Sequence, residues 1–231
     1  RARSPHGRTQ ADGMIRSRGF VFITSADFIV RSAYQMGKTP LLPLFAVTLG
    51  AGDVLLGFIV SVSTLTGMVL KPFFGILSDR WGRRMWLILG TTLFAGMPFL
   101  YGFVGTPEQL VALRVAHGLA TAIYGPVTLA YIASLSGSGR AERFAWFSMA
   151  RNGGYVVGPA IAGWLLMTLE PVTVFTLIGV LSSAAFVPVV LLPEPPRGPA
   201  TRRPPLREQV VGAFRDAGHT PAVWLAGGLD A

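Results

Sequence analysis

Cysteine is absent from this 231-residue chain, which excludes disulfide bridges and metal sites built from thiolates. The three histidines, His6, His117 and His219, are too widely spaced to indicate a metal site. Charged residues are also scarce, at 13%, against about a quarter in ordinary soluble domains. Hydrophobic residues make up 51% of the chain and the mean hydropathy is +0.52. This composition predicts a fold surrounded by lipid.

The two ends of the chain lack the features of folded domains. Residues 1–18 are polar and basic without an apolar core, which excludes a signal peptide and predicts a basic cytoplasmic tail. The chain opens with Arg1, and Met14 is a candidate initiator. Residues 221–231 begin an apolar run that stops short of the roughly 20 residues needed to cross a bilayer. We interpret that run as a truncated seventh helix.

Six long apolar runs lie between these ends, and residues 19–192 are predicted to form an all-α bundle of six transmembrane helices. A backbone in lipid must satisfy its own hydrogen bonds, and the period-two alternation of a closed barrel is missing. The predicted spans are 20–49, 54–76, 86–104, 109–135, 144–169 and 172–192, with Pro40 and Pro43 bending the first. Residues 193–220 are rich in Pro and Arg and are predicted to be a cytoplasmic linker.

Lysine and arginine are absent from every second predicted loop. The loops that contain Asp53, Glu108 and Glu170 have no basic residue, whereas the tail, the other loops and the linker carry clusters of arginine. This asymmetry predicts an integral protein of the cell membrane with the tail and linker in the cytoplasm. The net charge of +9 is thus explained by topology. No basic run is interleaved with stacking aromatic residues, so nucleic acid is not an expected partner.

The most informative segment, residues 75–84, lies between the second and third spans and reads Gly-Ile-Leu-Ser-Asp-Arg-Trp-Gly-Arg-Arg. It resembles the loop signature of the major facilitator superfamily of secondary transporters. The matching positions are Gly75, Asp79, Arg80, Gly82, Arg83 and Arg84. The resemblance implies the amino-terminal six-helix half of such a transporter, built as two inverted three-helix repeats, and a loop that acts as a conformational latch against the missing carboxyl-terminal half.

The residue types of this loop support the resemblance. Gly75 and Gly82 are expected to allow a close helix approach and a sharp turn. Asp79 is expected near the neighbouring arginines and the positive amino end of the third helix. A basic loop that only sets topology is the alternative interpretation; it explains the arginines but not the aspartate or the glycines.

The first span carries an unusual polar stripe. Asp27, Arg31, Gln35 and Lys38 recur at helical spacing in an otherwise apolar helix. Charges within a bilayer are costly and usually face a polar cavity. We therefore expect a substrate and proton pathway, with Asp27 as the titratable group and Arg31 in contact with the solute. The alternative is a structural ion pair between Asp27 and Arg31, with Lys38 extending outward.

The fourth span contains Arg114 followed four residues later by Gly118, a partial match to a second signature of the same family. The resemblance implies that Arg114 takes part in proton coupling with a partner on the first helix, for which Asp27 is the candidate. His117 is interpreted as a packed or hydrogen-bonded residue and not as a proton relay.

The fifth span contains a third resemblance, to the glycine-rich signature of antiporters. The matching positions are Gly154, Gly158, Pro159 and Gly163, and Ala162 replaces one glycine. The glycines predict a smooth face for close helix packing, and the proline removes one backbone donor. The motif implies antiport, although generic small-residue packing is the alternative. Arg151, one turn earlier, is expected either to add positive charge to the cavity or to extend toward the cytoplasmic face.

These observations predict a secondary transporter that exports a small organic solute in exchange for protons by alternating access. A symporter or facilitator that imports an organic anion or sugar is the alternative, because the buried arginines favour anionic or polar solutes. No cofactor is expected beyond a proton gradient. An intramembrane protease is not predicted, because no serine and histidine pair fits a membrane site. A non-transporting scaffold of the same fold would tolerate neutralisation of Asp27 and Arg31.

Overall fold

A computed structural model of the chain describes residues 5–135, 139–193 and 205–219. Within these ranges the chain forms helices and no strand. The predicted truncated helix at 221–231 and residues 194–204 of the predicted linker lie outside the described residues. The helices α1 to α9 are Pro5–Met36, Leu42–Thr48, Asp53–Trp81, Arg83–Leu100, Pro107–Leu135, Arg140–Leu165, Pro171–Ser183, Phe186–Val190 and Leu206–His219.

Two of the predicted spans are broken. The first consists of α1 and α2, joined by a π-helical turn at Gly37–Leu41 in which Thr39 leaves helical geometry just before Pro40. Proline lacks an N–H donor and disfavours helical geometry in the residue before it, so the predicted bend lies at this turn. The sixth predicted span consists of α7 and α8.

Within the part of the chain that the structure describes, four helical stretches are long and apolar enough to cross a membrane: Asp53–Trp81, Arg83–Phe103, Pro107–Leu135 and Pro171–Val190. They correspond to the second, third, fourth and sixth predicted spans. The first and fifth spans, α1 and α6, are less apolar because charged residues occupy their interiors. These two helices carry the buried charges Asp27, Arg31 and Arg151, whereas the buried Arg114 lies on the more apolar α5.

Helix α5 lies at the centre of the bundle. It packs along α3 and α4 and is buried over most of its length, whereas α1 packs mainly against α6. One apolar cluster includes Ile23, Phe94 and Tyr124. A second cluster surrounds the stacked rings of Tyr101 and Phe175, whose centroids are 3.8 Å apart. Aromatic stacking of this kind helps to hold α7 against the end of α4.

A single residue separates α3 from α4. Helix α3 ends at Trp81, α4 begins at Arg83, and Gly82 between them has a φ of 101°. Residues with a side chain rarely adopt this conformation, so glycine is needed for the turn. The predicted sharp turn at Gly82 is confirmed.

The structure corrects two predicted boundaries. Helix α1 begins at Pro5 and not near residue 20, so much of the predicted tail is helical. The predicted linker contains helix α9, which packs against α3. The sequence signals for α9 are Pro205 before its first residue, Glu208 in its first turn, and half-buried Leu206 and Val210 at helical spacing.

Candidate functional site

A buried ion pair joins α1 to α6. Nε of Arg151 donates to Oδ2 of Asp27 at 2.9 Å, and Nη2 donates to Oδ1 at 3.0 Å. The exposed fraction is 0% for Asp27 and 8% for Arg151, so the pair is desolvated. Two parallel hydrogen bonds between a guanidinium and a carboxylate form the strongest side-chain pairing available to either group. Arg151 therefore does not extend toward the cytoplasmic face.

Arg31 completes a charge cluster with Asp27 and Arg151. Its Nε lies 3.7 Å from Oδ1 of Asp27, within range of electrostatic attraction but too far for a hydrogen bond. The arginine is 6% exposed, and among the described residues its Nε has no hydrogen-bond partner. The expected pair between Arg31 and Asp27 is thus secondary, because both oxygens of Asp27 accept from Arg151.

The glycines of α6 bring the charge cluster together. A Cβ on Gly154 would lie 2.9 Å from Oγ of Ser32, and one on Gly158 would meet the carbonyl oxygen of Ser32 and lie 3.2 Å from N of Met36. Helix α6 thus contacts the backbone of α1 directly at these two residues. Arg151, one turn before Gly154, is thereby held opposite Asp27.

The rest of the glycine motif behaves differently. A Cβ on Gly163 would have no atom within 4 Å. Pro159 lies inside α6 and is half-buried. Gly163 therefore takes no part in the close approach of α6 to α1.

Arg114 is bound by α3 and not by Asp27. Its Nε donates to the carbonyl oxygen of Ile59 at 3.3 Å, and its Nη2 donates to Oγ of Ser63. Helices α5 and α3 approach so closely at Gly118 that a Cβ there would lie 2.9 Å from the carbonyl oxygen of Ser63. The expected pairing of Arg114 with Asp27 is wrong, because this contact turns Arg114 toward α3.

His117 is packed between aromatic rings. Its ring centroid lies 5.4 Å from that of Tyr34 and 5.6 Å from that of Phe94. Both ring nitrogens are buried without a hydrogen-bond partner among the described residues. This environment agrees with the interpretation of His117 as a packed residue.

The junction of α3 and α4 makes a second polar network. Nη2 of Arg83 lies 2.8 Å from Oδ1 of Asp79, and Nη1 of the same arginine donates to the carbonyl oxygen of Ala130 on α5 at 2.8 Å. Arg83 therefore ties the junction to the central helix. Asp79 is half exposed, at 54% of its side chain, so its pair with Arg83 is well hydrated.

The other residues of the 75–84 segment contact other parts of the bundle. Both Nε and Nη2 of Arg80 donate to Oε1 of Gln209 on α9, at 3.1 and 2.9 Å. Nη2 of Arg84 donates to the carbonyl oxygen of Val190 at 2.5 Å. A Cβ on Gly75 would lie 3.9 Å from its nearest neighbour, which is an ordinary contact. The structure therefore shows no contact at Gly75 that a side chain would obstruct.

Comparison with known proteins agrees with this arrangement of helices and motifs. The family model of the Major Facilitator Superfamily matches residues 23–229. The chain belongs to the major facilitator superfamily.

Two bacterial relatives of this facilitator chain are resistance proteins. Quinolone resistance protein NorA of Staphylococcus aureus is 28% identical over 163 residues, which cover 70% of this chain and 42% of that protein. Multidrug resistance protein 1 of Bacillus subtilis is 27% identical over 161 residues, covering 69% of this chain and 41% of that protein. The facilitator chain thus spans less than half of the length of these relatives.

A solved facilitator structure shows the same fold. The proton:xylose symporter XylE, solved with 6-bromo-6-deoxy-D-glucose bound, superposes with a TM-score of 0.68 at 16% identity. The match covers 94% of this chain and 52% of XylE. The facilitator chain therefore has the fold of half a transporter of this superfamily.

Sequence reasoning identified the charged residues of this facilitator half but missed several of their partners. The pairing of Arg151 with Asp27 joins residues far apart in the chain, and no local pattern indicates it. Gln209 is not identified because the Pro- and Arg-rich composition of 193–220 predicts a linker, although the apolar residues of α9 have helical spacing. Ser63 was missed because a single serine in an apolar helix carries no signal of its own.

Proposed function

We propose that this chain forms the amino-terminal half of a transporter in the cell membrane that exports a small organic solute in exchange for protons. Membership of the superfamily supports transport by alternating access. The names of the two bacterial relatives, which refer to quinolone and multidrug resistance, support export. The lipid bilayer and a carboxyl-terminal six-helix half are the partners that this proposal requires.

The observation that carries the proposal is the buried pair of Asp27 and Arg151. Asp27 is the only buried carboxylate in the described part of the chain. Its pair with Arg151 joins two helices and lies where α1 contacts α6. Intramembrane ionisable residues are expensive and are typical of proton and solute pathways. A carboxylate in this position can couple a proton to the contact between two helices.

The chemistry of the charge cluster supplies a mechanism. A proton that reaches Asp27 neutralises its carboxylate and weakens the two charge-assisted hydrogen bonds from Arg151. Arg31 and Arg151 are then two buried cations without a counter-ion, which favours separation of α1 from α6. Loss of the proton restores the pair. Protonation of Asp27 would in this way be linked to the conformation of the half.

The junction of α3 and α4 would act as a latch in this mechanism. Asp79 and Arg83 are paired at the surface, and Arg80 contacts α9. Exposed pairs contribute little to stability, so they can be broken and replaced at small cost. We expect the junction to exchange these contacts for contacts with the other half as the transporter changes state.

An importer of organic anions or sugars is the second candidate, because the described residues include three buried arginines but one buried aspartate. One vesicle preparation separates the two candidates. Everted vesicles that contain the full-length protein are given an acidic lumen, with norfloxacin as the fluorescent quinolone probe. An exporter that exchanges solute for protons accumulates external probe, whereas a symporter releases preloaded probe together with protons. Failure of a lumen-acid gradient to drive probe inward would contradict the proposal.

A further inference from the structure

The buried charges of this half do not balance. Among the described residues, the buried charged side chains are one carboxylate, Asp27, and three guanidiniums, Arg31, Arg114 and Arg151. Arginine remains charged at all physiological pH values, so titration of these side chains cannot remove the excess. A buried charge without a counter-ion is strongly unfavourable. The excess positive charge therefore calls for an anionic partner.

Two of the three arginines already have hydrogen-bond acceptors. Arg151 donates two hydrogen bonds to Asp27, and Arg114 donates to Ile59 and Ser63 on α3. Arg31 differs, because its Nε has no acceptor among the described residues and lies 3.7 Å from a carboxylate that already accepts two bonds. Arg31 is thus the buried arginine that still lacks an anionic hydrogen-bond acceptor.

The surroundings of Arg31 offer further polar atoms. Gln35 lies one turn further along α1, and its Oε1 is buried without a partner in the described part of the chain. The hydroxyl of Tyr124 on α5 is likewise buried and unpartnered there. Gly125, next to Tyr124, has no side chain, and a Cβ there would lie 3.5 Å from Nη2 of Arg31. Arg31 thus lies beside α5 at Gly125, and buried polar atoms without partners occur on both α1 and α5 near this contact.

We infer that Arg31 binds a carboxylate of the transported solute, so that the solute class is a small organic acid or zwitterion. The inference rests on the proposed function, since it assigns the solute of the same site. A guanidinium pairs with a carboxylate through two parallel hydrogen bonds, which fits this chemistry better than it fits a cation or a neutral sugar. The hydroxyl of Tyr124 and the amide of Gln35 are the further donors, since amide nitrogen and oxygen can exchange places by rotation.

Solute binding at Arg31 is also linked to protonation of Asp27. While Asp27 is ionised and paired with Arg151, a solute carboxylate at Arg31 supplies the counter-charge that Arg31 lacks. Protonation of Asp27 would release α6 from α1 and with it the solute, so that solute and proton occupy the site in turn, as exchange requires. A partner carboxylate from the rest of the protein is the competing occupant, and the experiment below separates it from a solute.

The test measures binding without any proton gradient. The full-length protein is placed in lipid nanodiscs, and calorimetry gives the dissociation constants of two acids, norfloxacin and benzoate, and of their ethyl esters. A hydrogen bond to a charged group contributes about 1.5 to 3 kcal/mol, so we expect each acid to bind about 10- to 150-fold more tightly than its ester. Arg31→Met should remove this preference, and Arg31→Lys should keep part of it.

The ester serves as an internal control for folding, because it requires no anion site. Arg140→Met, which removes an exposed arginine at the start of α6, is the matched control and should keep the wild-type preference. Equal binding of acid and ester by the wild type, no binding of either acid, or a preference that survives in Arg31→Met would each overturn the inference. A permanent carboxylate partner of Arg31 predicts the first of these results.

The two proposals fail in different ways. If the vesicle assay shows exchange of probe for protons but acid and ester bind equally, only the assignment of the solute class is wrong. If acids bind through Arg31 but no gradient moves them, the binding site stands and coupled export is wrong.

Discussion

Neutralising Asp27 should destabilise the protein far more than neutralising an exposed aspartate. Asp27→Asn replaces one of the two oxygens that accept from Arg151 by an amide nitrogen, and it removes the negative charge next to Arg151 and Arg31. Removing one partner of a buried pair costs about 3–5 kcal/mol, because an uncompensated charge remains. Asp79→Asn is the matched control, since its pair with Arg83 is exposed and should contribute about 0.2–1 kcal/mol.

The double variant Asp27→Asn with Arg151→Met tests whether the unpaired cation causes the loss of stability. It removes the carboxylate and also the cation that the first change leaves unpaired. We therefore expect the double variant to be about 1–3 kcal/mol more stable than the sum of the two single changes predicts. The assay is reversible unfolding of the full-length protein in mixed detergent micelles, followed by circular dichroism at one pH. Additive effects, or equal losses for Asp27→Asn and Asp79→Asn, would refute the buried pair.

Two further predictions concern helix contacts. Gly158→Ala should lower the free energy of unfolding by about 1–3 kcal/mol relative to Gly163→Ala in the same assay. The new Cβ at residue 158 would meet the backbone of α1, whereas a Cβ at residue 163 would have no atom within 4 Å. Equal stabilities of the two variants would contradict the close approach. Gln209→Ala should speed amide hydrogen exchange throughout α9, because both bonds from Arg80 are lost, whereas Glu208→Ala, at an exposed site, should leave exchange unchanged.

The fold could be predicted because spans in lipid depend on local composition. The apolar runs identified α3, α4 and α5, and the loop signature at 75–84 identified the superfamily. The boundaries of α1 and α9 could not be predicted in this way. Both lie in polar, basic sequence, where a helix is stabilised by packing on its neighbours and leaves only a weak trace in composition.

The candidate site could be predicted only in part, for a different physical reason. The sequence shows arginines on three helices and predicts Arg31 or Arg114 as the partner of Asp27, but not Arg151. Which arginine reaches it depends on how closely two helices approach, and that is set by Gly154 and Gly158 on α6. The glycine motif predicts that α6 packs closely on another helix, but it does not predict that this helix is α1. The close contact at Gly118 similarly holds Arg114 against α3, so that Arg151 is the arginine that donates to Asp27.

The measurement that tests the central claim most directly separates exchange from proton coupling in Asp27→Asn. Full-length wild type and variant are reconstituted in vesicles, and labelled norfloxacin is followed both in counterflow without a gradient and in accumulation driven by a lumen-acid gradient. If Asp27 carries the coupled proton, the variant keeps counterflow but loses gradient-driven accumulation, while Asp53→Asn, at an exposed position, keeps both. Gradient-driven accumulation by Asp27→Asn at the wild-type level would contradict the account.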